Sequence, residues 1–136
     1  MRKNKKISLL FLFSILLMTL FGCGQSSLAK VDILTRIEET PKIFWGVKND
    51  TRLFGLTNIE TRKVEGFDID IALAITEEIL GPEGEAVFVE VTSKTRIPLI
   101  KNGNIDAIIA TMTISEERLK QVDFSDVYFD AGQSLL

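Results

Sequence analysis

The sequence contains no histidine, one cysteine, three prolines, one tryptophan and one tyrosine among 136 residues. Without histidine there is no Ser-His-Asp or Cys-His triad and no imidazole ligand for a metal. One cysteine can neither close a disulfide within the chain nor build a zinc site. There is no Walker loop and no G-x-G-x-x-G; Gly81-Pro82-Glu83-Gly84 reads as a turn, not a phosphate cradle. No internal repeat is visible. Acidic residues are missing from the first 22 positions, where Arg2, Lys3, Lys5 and Lys6 stand alone. The other 114 residues hold twelve Lys and Arg against nineteen acids, a net charge of −7 where the whole chain has −3. An acidic body argues against a nucleic-acid partner. With 46% hydrophobic and 26% charged residues the chain is neither a disordered tail nor a fibrous repeat, and its length allows one domain at most.

What is present begins with an address. The four cations precede Ile7 to Gly22, an uncharged apolar run of 16 residues. A basic start followed by a short apolar segment reads as a secretory signal, and the run is short for a bilayer crossing of about 20 residues. It ends in Leu20-Phe21-Gly22-Cys23, which resembles the bacterial lipoprotein processing box, a small residue directly before a cysteine that becomes lipid-modified. Phe21 is larger than that box usually carries. The expectation is a signal peptide over 1–22 and a lipid-anchored tether over 23–41, with Cys23 acylated (a diacyl anchor, palmitate among its chains) and the body held on the outer, extracytoplasmic side of the cell membrane. An uncleaved anchor or ordinary secretion, with Cys23 a stray thiol, is the alternative.

The body, 42–136, alternates strand and helix signals. Lys42 to Lys48 reads as a strand, 51–63 as a loop with a hairpin around Leu53 to Ile59, and Asp68 to Leu80 as a helix with an apolar stripe of Ile71, Ala72, Ile75 and Ile79. Asp68 or Asp70 is a candidate cap for that helix, and Gly81-Pro82 stops it. Ala86 to Val91 reads as a strand, Thr95 to Lys101 as a short helix with Pro98 in its first turn, Ile105 to Ala110 as a central buried strand, and Ser115 to Val122 as a helix. A further segment starts at Tyr128. Strands separated by helices imply an α/β fold with a mostly parallel sheet flanked by helices. Ligands of such sheets gather outside the carboxyl ends of the strands, here Lys48-Asn49-Asp50, Thr92-Ser93 and Thr111-Met112-Thr113. Trp45, inside the first strand, reads as core.

Ser115-Glu116-Glu117-Arg118 opens a helix with a capping serine and two acids in the places the helix dipole favours. Arg118 is out of place there. Either it holds an external carboxylate, together with groups near Thr111 and Thr113, or it is a surface residue paired with Glu116 or Asp123.

Several segments resemble the first lobe of the bacterial extracellular solute-binding proteins, family 3, the polar amino-acid receptors of ABC importers. They are Val64 to Asp70 (VEGFDID), Ile97-Pro98-Leu99 with Asn102-Gly103, Asp106 to Ala110 (DAIIA), Thr111 to Arg118 (TMTISEER), and Val122 to Ser125 with Tyr128. The resemblance spans residues 42–136. It implies a periplasmic-binding-protein-like lobe in which Arg118 clamps the ligand's α-carboxylate, Thr113 assists, and Thr111 meets the amino group or carboxylate.

Ser93-Lys94-Thr95-Arg96 resembles the glutamate/aspartate branch, where a second arginine 22 residues before the first meets a side-chain carboxylate; Arg96 and Arg118 have that spacing. Lys48 matches a basic residue that joins it. Asp50 matches the acid of glutamine receptors, while Leu53 and Ser93 lack their aromatics. A second carboxylate in a closing cleft must be paired, which Arg96 and Lys48 would do. The plain alternative for Arg96 is a surface residue paired with Glu90.

The function implied is that of an extracytoplasmic lipoprotein receptor. It binds glutamate or aspartate, with glutamine or another polar amino acid as the alternative, and delivers it to importer permease subunits by non-covalent closure of two lobes. No cofactor, metal or catalysis is implied. A sensor module and an enzyme on the same fold, such as a cyclohexadienyl dehydratase, are the competing classes. The resemblance also implies about twice this length, so the expectation is a fragment or one piece of a longer chain, binding ligand poorly, if at all, alone.

Overall fold

The computed structural model describes residues 33–132; the stretch 1–22, Cys23, the tether up to residue 32 and residues 133–136 lie outside the described residues. The centre of the molecule is β1 (Lys42–Val47). It pairs in parallel with β5 (Glu85–Glu90) on one side and β6 (Ala107–Ile109) on the other, giving the order β5-β1-β6.

Alternation along β1 builds two cores. Ile43, Trp45 and Val47 pack with Ile69, Ala72 and Ile109. Phe44, from the other face, packs with Val91, Ile105 and Ala110. Each large side chain so buried is worth about 1.5–3 kcal/mol. The Trp45 indole N–H donates to Thr76 Oγ1 at 2.9 Å, so the largest core residue is polar-satisfied as well as buried. Gly46 is bare by necessity, since a Cβ there would lie 2.6 Å from Ile105 Cδ1 and 3.0 Å from Val91 Cγ1.

The connection from β1 to the long helix carries a second, antiparallel sheet in the order β2-β3-β4, with β2 Asp50–Thr51, β3 Gly55–Thr57 and β4 Val64–Glu65. The expected hairpin is there, with a third strand added. The sheet is therefore not parallel throughout: a parallel layer and a small antiparallel one divide the strands.

The helix α2 covers Phe67–Leu80. Neither Asp68 nor Asp70 caps it. Gly66 occupies the cap position, and the first amides are satisfied by loop carbonyls: Phe67 N–H donates to Leu53 O and Asp68 N–H to Phe54 O, at 2.8 and 3.0 Å. Gly66 has φ 141°, and a Cβ there would stand 2.5 Å from Phe54 O. Two constraints, conformation and contact, thus demand glycine at one position. The buried face of α2 is Asp68, Ile69, Ala72 and Thr76; Ile75 and Ile79 of the expected stripe are 38% and 59% exposed.

The helix α3 (Arg96–Lys101) places Pro98 in its first turn, where its missing N–H costs nothing. The last strand, β6, is shorter than expected, although Asp106 N–H already bonds Phe44 O at 2.7 Å and Ile105 is buried. The final helix α4 (Glu116–Leu119) is a single turn, followed by a turn bond from Val122 N–H to Arg118 O. Residues 128–132 form no strand. One helix was not foreseen: α1 (Ile33–Glu39), within the expected tether. Arg36 fastens it, pairing with Asp106 and stacking over Phe44 at 5.1 Å.

Candidate functional site

The ends of β1, β5 and β6 meet at the carboxyl edge of the parallel sheet. Arg96 follows β5 as the first residue of α3. It is 4% exposed, and its Nη1 donates to Ala110 O at 3.1 Å just after β6. Among the described residues its buried Nε has no partner. A surface position paired with Glu90 is thereby ruled out. Arg118 sits on α4, where its own N–H bonds the Ser115 cap, as the sequence predicts. Its Nη1 donates to Thr113 O at 2.6 Å. Among the described residues Arg118 pairs with neither Glu116 nor Asp123, and Arg96 with no acid.

Both guanidinium groups therefore bind carbonyls of one short loop, Ala110 to Thr113, and no acid among the described residues. The electrostatics agree. Burial, and then the nearby charge of Arg118, hold the Arg96 guanidinium below its ordinary pKa. Two cations on one loop, with no acid paired to either among the described residues, raise the local potential and favour an anion that can neutralise them.

Thr111, in the middle of the loop, has φ +47°, the left-handed region that β-branched residues avoid. Its N–H donates to Asp68 Oδ2 at 3.1 Å, and Tyr128 O–H donates to Asp68 Oδ1 at 3.0 Å. Burial pushes the Asp68 carboxyl up, partly offset by these two bonds. Burial and the charge of Asp68 push the Tyr128 phenol far above its usual range. Asp68 and Tyr128 were not among the expected site residues. The signal for Asp68, an acid in the first turn of a helix, is the same as that for a cap, and only the long-range contact tells them apart.

Lys48 is tied to Asp50, Nζ to Oδ1 at 2.9 Å. Asp50 is held below the usual carboxylate range, mainly by the Lys48 bond. Lys48 is thus not a free cation. Ser93 lies exposed in the turn after β5, which Thr92 and Thr95 close by side-chain bonds. A cleft of about 490 Å³ opens against the loop, lined by Thr51, Phe54, residues 111–114 and residues 124–131. Thr111 and Thr113 are on its wall; Arg96, Arg118, Lys48, Asp50 and Ser93 are not. Thr113 touches both features, lining the cleft and receiving Arg118.

The sequence profile of the bacterial extracellular solute-binding proteins, family 3, matches residues 43–136. The chain belongs to this family. Family and fold are those of a non-catalytic, extracytoplasmic solute-binding protein. Among relatives, the "ABC transporter glutamine-binding protein GlnH" of Bacillus subtilis is 56% identical over 100% of this chain and 52% of its own length. The "Glutamine-binding protein" of Geobacillus stearothermophilus is 62% identical over 79% of this chain and 41% of its own. The chain spans about half the length of these curated relatives. Among solved structures, the arginine-bound form of domain 1 from TmArgBP superposes with a TM-score of 0.65 at 37% identity, covering 71% of this chain and 74% of that one. The family lobe expected from the sequence is the fold observed. The expected kinship with the glutamate/aspartate branch is not what these relatives' names carry.

Proposed function

We propose that this family 3 lobe binds a polar amino acid, glutamine first, and that the protein serves an ABC importer as an extracytoplasmic receptor anchored through lipidated Cys23. The observation that carries the reading is the pair of guanidinium groups, Arg96 and Arg118, bound to one loop with neither paired to an acid among the described residues. Arg118 supplies a fork for the α-carboxylate, with Thr111 and Thr113 completing its seat. Arg96 and the Lys48–Asp50 pair receive the ligand's side chain.

Glutamine is favoured because that pair offers both a donor and an acceptor. A carboxamide needs both, its oxygen taking an N–H and its NH₂ giving one to Asp50. A second carboxylate would meet a lysine already neutralised and an ionised Asp50 beside it. The names of the two relatives at 56% and 62% identity support the same choice. The second reading, glutamate or aspartate, is favoured by the charge of Arg96, which no acid neutralises among the described residues and an anion would suit. Recognition is non-covalent: the ligand bridges two lobes, closure buries it, and the closed form engages the permease subunits.

Titration calorimetry on the full chain in detergent, with glutamine, glutamate, aspartate and arginine in turn, tests the reading. The expectation is weak but saturable binding, glutamine tightest, with Arg118→Ala costing every ligand about 30-fold or more. That a single domain of TmArgBP is found with arginine bound supports measurable binding by one lobe. Absence of saturable heat with all four amino acids at millimolar concentration would overturn it.

A further inference from the structure

We infer that Asp68 is a positioning residue for the amino-acid site: its carboxylate holds Thr111 in the left-handed conformation that aims the Ala110–Thr113 loop at both arginines. The inference rests on reading that loop as the ligand's seat. Asp68 is 1% exposed, and both its oxygens are used at long range, by Thr111 N–H and by Tyr128 O–H. Its own helix does not need it, because Leu53 O and Phe54 O already take the first amides of α2. The side chain is therefore free to serve another part of the fold.

What it serves is the one strained point of the loop. Thr111 lies between the carbonyl that receives Arg96, Ala110 O, and the carbonyl that receives Arg118, Thr113 O. A backbone rotation at Thr111 from φ +47° to the negative region would re-aim the peptides on either side of it. Each arginine would then lose the protein partner that orients it. A threonine does not hold this conformation unaided, and a part-buried bond from its N–H to the Asp68 carboxylate supplies the restraint. One carboxylate thus sets the direction of two cations that it does not itself bond. Tyr128, on the second oxygen, holds the segment 124–131 against the same cleft.

The test uses the full chain in detergent, and it has a ligand-free arm and a ligand arm. In the wild-type chain, labelled with nitrogen-15, the Thr111 amide should exchange with solvent far more slowly than that of exposed Thr113, and its coupling constants should report a positive φ. Fast exchange or a negative φ would overturn the inference without any variant having to fold. In the ligand arm, Asp68→Ala should weaken glutamine binding by about tenfold or more. Asp68→Asn should restore it to within about threefold, since the amide oxygen can take the Thr111 N–H while the amide nitrogen donates to the phenol. Adding Thr111→Gly to Asp68→Ala should recover part of the loss, because glycine adopts positive φ freely, whereas a purely structural defect would not be relieved this way. Unchanged affinity in a folded Asp68→Ala chain sinks the role of Asp68 and leaves the receptor reading standing. A wild-type chain that binds no amino acid sinks both.

Discussion

Each charged residue at the carboxyl edge has a different partner, and the differences decide what the edge can hold. Lys48 is spent on Asp50, Arg96 and Arg118 on carbonyls, and Asp68 on an amide and a phenol. Asp50→Asn would release Lys48 for an external carboxylate. Affinity for glutamate relative to glutamine should then rise a few-fold in competition titrations, a small effect because Asp50 is well exposed. Asp68 makes a second, separable prediction. Its folded pKa is raised above the unfolded 3.8, so the folded chain holds a proton where the unfolded chain has lost it. Its contribution is most favourable below about that value, and stability declines as pH climbs through the folded pKa. Thermal melts of wild type and Asp68→Asn, run from pH 4 to 7, should show the wild type losing ground to the variant as pH rises; parallel curves would contradict the raised pKa. Arg118 stands out in the sequence because an arginine in the first turn of a helix opposes the dipole and calls for an explanation, which the residues alone leave open between an external carboxylate and a surface pair. Arg96 stands out in the sequence only through the resemblance of Ser93 to Arg96 to the glutamate/aspartate branch, which includes its spacing to Arg118. Asp68 was not, because its partners lie 43 and 60 residues away and its local setting imitates a cap.

Among the elements, β1, β5 and α2 were legible nearly to their ends, since apolar periodicity and the Gly81-Pro82 stop are local signals. The phase of α2 was not. Its isoleucines suggest one face, but Asp68, Ile69, Ala72 and Thr76 form the buried one, with Trp45 bonded to Thr76 fixing the rotation. Helix α1 carries no local signal because it has no buried residue of its own and is fastened by its own Arg36 reaching to Asp106, 70 residues away. The start of α2 depends on a contact no local pattern announces, the approach of Phe54 O to Gly66. Gly66→Ala would meet that oxygen and its carbon at 2.5 and 2.6 Å with a backbone at φ 141°. Such a change should cost about 2–4 kcal/mol and lower the melting midpoint by about 10 °C or more, measured by differential scanning calorimetry.

At the scale of the whole molecule, an acidic body presents a locally cationic edge. The nineteen acids outnumber the twelve cations beyond residue 22, yet Arg96 and Arg118 stand together. Repulsion from the body disfavours polyanions, while two arginines at one edge favour a small anionic group at short range. The proposed anchor at Cys23 is tested by substitution. Cys23→Ser should shift the protein from the membrane fraction to the medium, and intact-mass measurement should show loss of a diacylglyceryl adduct; an unmodified wild-type Cys23 would contradict the anchor.

Trp45 is the sole tryptophan, nearly enclosed and hydrogen-bonded to Thr76 on the α2 side of the sheet. Its emission should consequently be blue-shifted and deaf to soluble quenchers. Occupancy of the arginine edge should leave the spectrum unmoved, while loss of the fold should shift it red, so the protein carries a built-in optical gauge of its own integrity.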